Sequence, residues 1–298
     1  MPGTATGQRG PNSGPDGGPD SGPRNGSRRA WRTRAATAAA AAMLLAAGCA
    51  ADDDAPTKAG SGVTVVQKGK LTTCTHLPYP PFQFERDGEV VGFDVSLIDL
   101  VAKDLGVEQK IVDTPFENFK TGAFLNSGEC DLAAAGITIT AERRENVDFS
   151  VPYFDADQAL LATRKSGIAS LDELADGKRR LGAQAGTTGE SYAKEKGLDP
   201  VAFESSDAVL NGLRTGQVDA VVLDYPVVQG WLKDKKNAAE FALGRNIETG
   251  EQYGFSVRKG NSALLAAIDK AIERSRADGT YDKLHRRWIG PRPGENAS

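Results

Sequence analysis

Histidine and cysteine are scarce in this 298-residue chain: two of the first, His76 and His285, and three of the second, Cys49, Cys74 and Cys130. No zinc-site spacing can be built from them, and no serine–histidine–aspartate set is present. The glycine-rich stretch "GAQAGTTG" at 182–189 lacks the lysine of an ATP loop and the spacing of a dinucleotide fingerprint. No cofactor and no metal are expected. Aromatic residues make up 7% of the chain, and the formal net charge is -4. The first 48 residues hold six arginines and two aspartates, which leaves about -8 on the remainder. An acidic body of this kind argues against a nucleic-acid partner, because phosphate binding needs a basic face. Long apolar runs are also missing. The one candidate, within "RRAWRTRAATAAAAAMLLAAGC" at 28–49, is shorter than the about 20 residues of a membrane span.

That stretch reads instead as an export signal. Residues 1–27 are mostly Gly, Pro, Ser, Asn and Asp, a disordered leader that cannot bury a core. A basic stretch, a short apolar stretch and small residues then make 28–48 a secretory signal peptide. Its ending, "LLAAGC", resembles a bacterial lipobox, with Ala46 where a leucine is usual. The resemblance implies cleavage before Cys49, a lipid on its sulfur, and anchoring to the outer face of the cytoplasmic membrane. Residues 49–66, including "ADDDAPTKAGSG", read as the lipidated cysteine and a flexible tether. Cys74 and Cys130 remain. An exported pair is either a disulfide or two buried thiols, and sequence does not give their Cα separation.

After the tether, short apolar strands alternate with amphipathic helices. "KLTTCT" (70–75) reads as a strand, "GFDVSLIDLVAKDLG" (92–106) as a helix and "QKIVDT" (109–114) as a strand. "ENFKTGAFLNSG" (117–128) reads as a helix and "CDLAAAGIT" (130–138) as a strand. This βαβαβ order signifies a parallel sheet covered by helices. A second copy follows, with strands at 179–184, 200–205 and 218–224 and helices at 188–197 and 207–216. "LNSGECDLAAA" at 125–135 parallels "LRTGQVDAVVL" at 213–223, which favours two similar α/β lobes. A strand at 252–260, a long helix at 261–277 and a short helix at 279–290 close the pattern. Leu284 and Trp288 of that last helix are placed to pack on the first lobe.

Open α/β sheets bind ligands outside the carboxyl ends of their strands. Two such lobes face to face bring their strand ends to one cleft. His76, Tyr79, Phe116, Ala135, Gly136 and Thr138 fall there from the first lobe, with Arg143 five residues on. Gln184, the helix-opening "GTTGE" with Thr188, and Asp224 fall there from the second. Arginine grips a carboxylate through two parallel charge-assisted bonds, a helix start favours an anion, and an aspartate holds an ammonium. A carboxylate site and an ammonium site in one cleft describe an α-amino acid. Its carboxylate would lie on Arg143, over a floor of small residues. Each residue also has an ordinary reading: Arg143 and Arg144 as solvated helix charges, Phe116 as core, Asp224 as a helix cap.

From about residue 67 to 290 the chain resembles the polar amino-acid binding proteins of ABC importers, solute-binding family 3. The stretches that carry the likeness are "PYPPFQF", "GEVVGFDVSLIDLVAKDLG", "CDLAAAGITITAERRENVDFSVPYF", "GTTGESYAK", "VDAVVLD" and "ADGTYDKLHRRW". The resemblance implies an α/β two-lobed clamshell of the periplasmic-binding-protein II type, each lobe a mainly parallel sheet flanked by helices. Lobe one would be 67–157 plus 250–290, lobe two 158–249, and 291–298 a disordered tail. The hinge would lie near 155–158 and 249–253. It further implies that Arg143, the Thr188 amide and Thr138 bind the α-carboxylate. Asp224, Thr138 and the Gly136 carbonyl would bind the α-ammonium, and Tyr79 and Phe116 would sandwich the side chain. His76 and Gln184 would face its far end. Many members carry an acid where His76 stands. Its loss here favours glutamine or glutamate over arginine or lysine, although Glu117 beside Phe116 could restore a negative charge.

The expected partners are therefore an amino acid, a membrane permease and, through the lipid, the membrane, with the protein a monomer and no bond broken. Two rival readings stand beside this one. An enzyme on the same scaffold, a dehydratase of prephenate-like compounds, would need a general acid in the cleft, for which His76, Glu117 and Glu190 are the local candidates. A sensor lobe would need a separate signalling partner.

Overall fold

The computed structural model describes residues 56–292. The leader, the signal segment, Cys49 and residues 293–298 lie outside the described residues. Two five-stranded sheets carry the architecture. The first is built from β1 (Lys70–Thr75), β2 (Glu108–Asp113), β3 (Leu132–Ala133) and β4 (Val147–Phe149). The chain then passes through β5 (Phe154–Asp155) into the second sheet, made of β6 (Gln158–Thr163), β7 (Leu181–Gln184), β8 (Val201–Phe203), β9 (Ala220–Asp224) and β10 (Phe241–Ile247). It returns through β11 (Gln252–Tyr253), which pairs antiparallel with β5, and adds β12 (Ser256–Arg258) to the first sheet.

The sheets share one topology. Their orders are β2-β1-β3-β12-β4 and β8-β7-β9-β6-β10. In each, three parallel strands adjoin one antiparallel strand, which in turn pairs antiparallel with the last. Four strands of five therefore run the same way, and the inverted one is the strand that has just crossed from the other sheet. The repeat seen in sequence has a structural counterpart. The Asp131 carboxylate accepts from the Thr72 N–H, while its own N–H donates to the Thr72 carbonyl, both at 2.8 Å. Asp219 does the same with Arg180, at 2.7 and 2.8 Å. An aspartate at the start of the third strand thus fixes the register of the first strand in both lobes.

The helices follow from their apolar faces. Helix Phe93–Leu105 buries Leu97, Ile98, Val101 and Leu105 and stops at Gly106, which takes the left-handed conformation a C-terminal cap requires. Helix Ser262–Ala277 packs beside it, burying Leu264, Ile268 and Ile272. Helix Thr280–Trp288 folds onto the first lobe as its Leu284/Trp288 pair suggests: Trp288 Nε1 donates to Ser96 Oγ at 3.0 Å and its ring meets Phe84 edge-on.

Three expected elements differ. The helix read at 117–128 is two short turns, Phe116–Lys120 and Ala123–Asn126, because Gly122 between them is left-handed. Of the strand read at 130–138 only Leu132–Ala133 pairs regularly, and Gly136, at φ +57°, bends the chain out of the sheet. The strand read at 252–260 is split into β11 and β12 at Gly254, where an added Cβ would come within 2.9 Å of Ile139. Part of the expected tether is also folded. Thr57–Lys58 pairs with Thr64–Val65 around a tight turn at Ser61–Gly62, and Val63 and Val65 enter the core. The open alternative for the two cysteines is resolved: Cys74, on β1, is bonded to Cys130, just before β3, with their Cα atoms 5.7 Å apart.

Candidate functional site

Arg143 is set by its own helix. Thr140 caps helix Ala141–Asn146, its hydroxyl accepting from the Arg143 N–H at 3.1 Å. That cap turns the arginine inward, where it is 2% exposed, while its neighbour Arg144 faces solvent. The guanidinium donates to the Thr138 carbonyl at 2.8 Å and, across the cleft, to the Gly186 carbonyl at 3.1 Å. It lies 5.6 Å from the centre of the Phe116 ring. Burial pushes its pKa down, and attraction to Asp224 and Glu251 works against that. A cation kept dry and charged in this way is a receptor for an anion.

Asp224 is the opposite pole. It ends β9 at the N-cap position of helix Tyr225–Leu232, yet its carboxylate makes no capping bond. It turns instead into the cleft, accepting from the hydroxyls of Tyr79 and Tyr253 and from Gln158 Nε2. Burial raises its pKa, and those three donors and Arg143 oppose the rise. Burial, and then the nearby Asp224 charge to which they donate, pushes both tyrosine hydroxyls well above their ordinary range.

Helix Thr188–Glu195 brings in its first turn. The Thr187 hydroxyl accepts from the Glu190 N–H at 3.2 Å and donates to the Gln184 carbonyl at 2.7 Å. Thr188 Oγ1 reaches Thr138 Oγ1 from the other lobe at 3.3 Å. Gly136 is positioned from beneath, its N–H donating to Asp94 Oδ2 at 2.9 Å. An added Cβ there would press on the rings of Tyr79 and Tyr253 at 3.1 and 3.2 Å, so glycine keeps both the turn and the space. Gln184 is 1% exposed, and neither its Nε2 nor its Oε1 has a hydrogen-bond partner.

One narrow cavity between the lobes gathers Tyr79, Phe116, Gly136, Thr138 and Arg143 with Gln184, Thr188 and Asp224, eight of the ten positions expected from sequence. His76 and Ala135 are not on its lining. Ala135 is buried in the cluster of Phe116, Phe119 and Phe124 beneath it. Both ring nitrogens of His76 are taken by backbone carbonyls, Thr114 at 3.1 Å and Glu204 at 3.0 Å. Four residues were not foreseen. Thr187 lines the cavity; Gln158, Glu251 and Tyr253, from the two crossings, back it. Gln158 Nε2 bridges the two acids, reaching Glu251 Oε2 at 2.8 Å as well as Asp224. Only the doublet "TT" at 187–188 offered a sequence signal; the other three depend on how the crossings pack.

Neither carboxylate candidate for an enzyme lines the cavity. Glu190 accepts from the Gly186 N–H at 2.8 Å and from Lys194 Nζ at 2.6 Å, so it serves the helix start. Glu117 is exposed.

The fold has counterparts among known proteins. The ABC transporter glutamine-binding protein GlnH of Bacillus subtilis (strain 168) is 35% identical over 211 residues, covering 70% of this chain and 76% of that protein. A probable histidine-binding protein of Neisseria gonorrhoeae is 31% identical over 225 residues, covering 74% of this chain and 82% of that protein. An ancestral arginine-binding protein, solved with arginine and again with glutamine, matches the structure with a TM-score of 0.69 at 38% identity, over 75% of this chain and 99% of its own. Residues 71–291 match the family of bacterial extracellular solute-binding proteins, family 3, and to that family the chain belongs.

Proposed function

We propose that this protein captures a polar L-amino acid of the glutamine type by closing two lobes on it, and delivers it to the permease of an ABC importer. The observation that carries the reading is Gln184. A buried amide with its donor and acceptor both unmatched fits a ligand carrying the complementary pair, as a side-chain carboxamide does. The α-carboxylate goes to Arg143 with the Thr188 amide and Thr138. The α-ammonium goes to Asp224, Thr138 and the Gly136 carbonyl, and the side chain lies between Tyr79 and Phe116. Glutamate fits less well, because Asp224 and Glu251 already crowd the site with negative charge and burial raises the pKa of both. An arginine tip would need an acid at the far end, and Gln184 is neutral.

The lobes in this reading are 67–157 with 250–290, and 158–249, turning about the two crossings. The ligand touches both, so binding favours the closed form, which the permease recognises. The protein acts as a monomer anchored outside the membrane through Cys49.

A thermal-shift comparison of the twenty amino acids, on protein refolded once to strip bound ligand, tests the reading. A cargo at 100 times its dissociation constant adds about 2.7 kcal/mol of stability. The largest shift is expected with L-glutamine. A larger shift with L-arginine would overturn the glutamine assignment, and no shift with any of the twenty amino acids would overturn amino-acid binding.

A further inference from the structure

Two segments beside the cavity, neither on its lining, meet across the cleft. His76 to Pro78 follows β1 in the first lobe, and Glu204 to Ser206 follows β8 in the second. His76 Nε2 lies 3.0 Å from the Glu204 carbonyl oxygen, and the Ser206 hydroxyl donates to the Pro78 carbonyl at 2.8 Å. Ser206 is fully buried. On its other side His76 Nδ1 lies 3.1 Å from the Thr114 carbonyl, within its own lobe. The position that the family resemblance assigns to the far end of the ligand is here occupied by a residue joining lobe to lobe.

We infer that His76 and Ser206 form a clasp that favours closure independently of the cargo, His76 being a positioning residue that sets how often the lobes meet. This rests on the reading of the protein as a closing clamshell. The chemistry gives the clasp a direction. Both partners of His76 are carbonyl oxygens, which only accept. A neutral imidazole has one N–H and can serve one of them while turning a lone pair toward the other; the doubly protonated ring serves both. The Thr114 carbonyl belongs to the same lobe as His76, whereas the Glu204 carbonyl arrives only with closure. The clasp therefore tightens when the ring takes up a second proton, that is, toward lower pH.

The charges around it are few. Asp113 Oδ1 lies 3.8 Å from Nδ1 and accepts from the Leu77 N–H at 3.0 Å. The turn Phe116–Lys120 brings the Phe116 ring to 6.2 Å and carries Glu117 and Lys120. The facing segment carries Glu204 and Asp207. Gln83 Nε2 donates to the carbonyl of His76 itself at 3.2 Å. Burial also raises carboxyls elsewhere, Asp94 to about 7 and Asp131 to about 6 within the first lobe, and Asp224 and Glu251 at the cleft. The deciding quantity is therefore the difference between the parent and a His76 variant.

The test uses the full chain with a donor and an acceptor dye on the two lobes. Energy transfer is read without added amino acid at about pH 8 and about pH 5.5, and then during titration with L-glutamine. The closed-to-open ratio of the parent is expected to rise about threefold or more toward the lower pH. His76→Asn and His76→Gln, which cannot take up the proton, are expected to stay flat. Ser206→Ala is expected to close less at both pH values and keep the response. An equal pH response in parent and both His76 variants overturns the inference, as does a parent that does not respond. If the response appears as expected but L-glutamine closes none of the proteins, the cargo assignment fails and the clasp stands.

Discussion

Arg143 shows what a single side chain can settle. As the fourth residue of "TAERRE" it looked like one of two helix charges, and most surface arginines are no more than that. The Thr140 cap separates the two fates, one arginine buried on two carbonyls and the next in solvent. Under the proposed function, Arg143→Ala removes two charge-assisted bonds to the ligand carboxylate, each worth about 1.5–3 kcal/mol. The dissociation constant for L-glutamine, read by calorimetry, is expected to rise at least about hundredfold. Arg143→Lys should recover little, because an ammonium lacks the planar fork.

Asp94, by contrast, never touches the cavity. Burial raises its carboxyl from 3.8 to about 7, against the pull of the Gly136 N–H and the Tyr153 hydroxyl. Because the folded value lies above the unfolded one, the folded protein holds this proton more tightly. The stability it contributes is complete below about pH 4 and is lost as pH rises through about 7. Melting temperatures of Asp94→Asn and the parent should therefore diverge between pH 5 and 8, the parent falling relative to the variant. Residues of this kind were illegible in the sequence. An aspartate at a helix start reads as a dipole partner, and its task under Gly136 appears only once the strand ends are assembled.

At the scale of elements, the parallel core of each sheet and its covering helices could be read directly, because strand and helix periods differ and glycines mark the ends. Strands β6 and β10 could not. "QALLAT" at 158–163 has an unbroken apolar centre, Ala159 to Ala162, a run that fits a buried helix as well as a buried strand. Helix Ser206–Arg214 shows packing overriding propensity. Gly212 in its interior would ordinarily gain about 1 kcal/mol on becoming alanine. Here the new Cβ would stand 2.4 Å from the Phe203 ring. Overpacking of this kind costs about 1–3 kcal/mol, so Gly212→Ala is expected to lower the denaturant midpoint. Shortening the ring with Phe203→Leu should restore much of the loss.

At the scale of the whole molecule, the two crossings are stapled rather than merely adjacent. Asp157 Oδ1 accepts from the N–H groups of Thr249 and Gly250 at 2.9 and 3.0 Å, and Gln252 Nε2 donates to Asp155 Oδ1 at 2.7 Å. Asp157→Ala frees two backbone donors at the second crossing. Amide exchange at Thr249 and Gly250 is expected to quicken, while amides in β7 and β9 keep their protection. No sequence pattern announces such a staple, since its members are more than ninety residues apart.

The inverted strands also bear on how the protein comes into being. All five strands of the second sheet come from one uninterrupted stretch, 158–247. The first sheet lacks its fourth position until β12 arrives, and that strand sits between β3 and β4. As the chain emerges, the second lobe is complete while the first still shows two bare strand edges. Residues synthesised after the second lobe close the sheet that was begun before it, so a chain halted before Ser256 carries one finished sheet and one that cannot close.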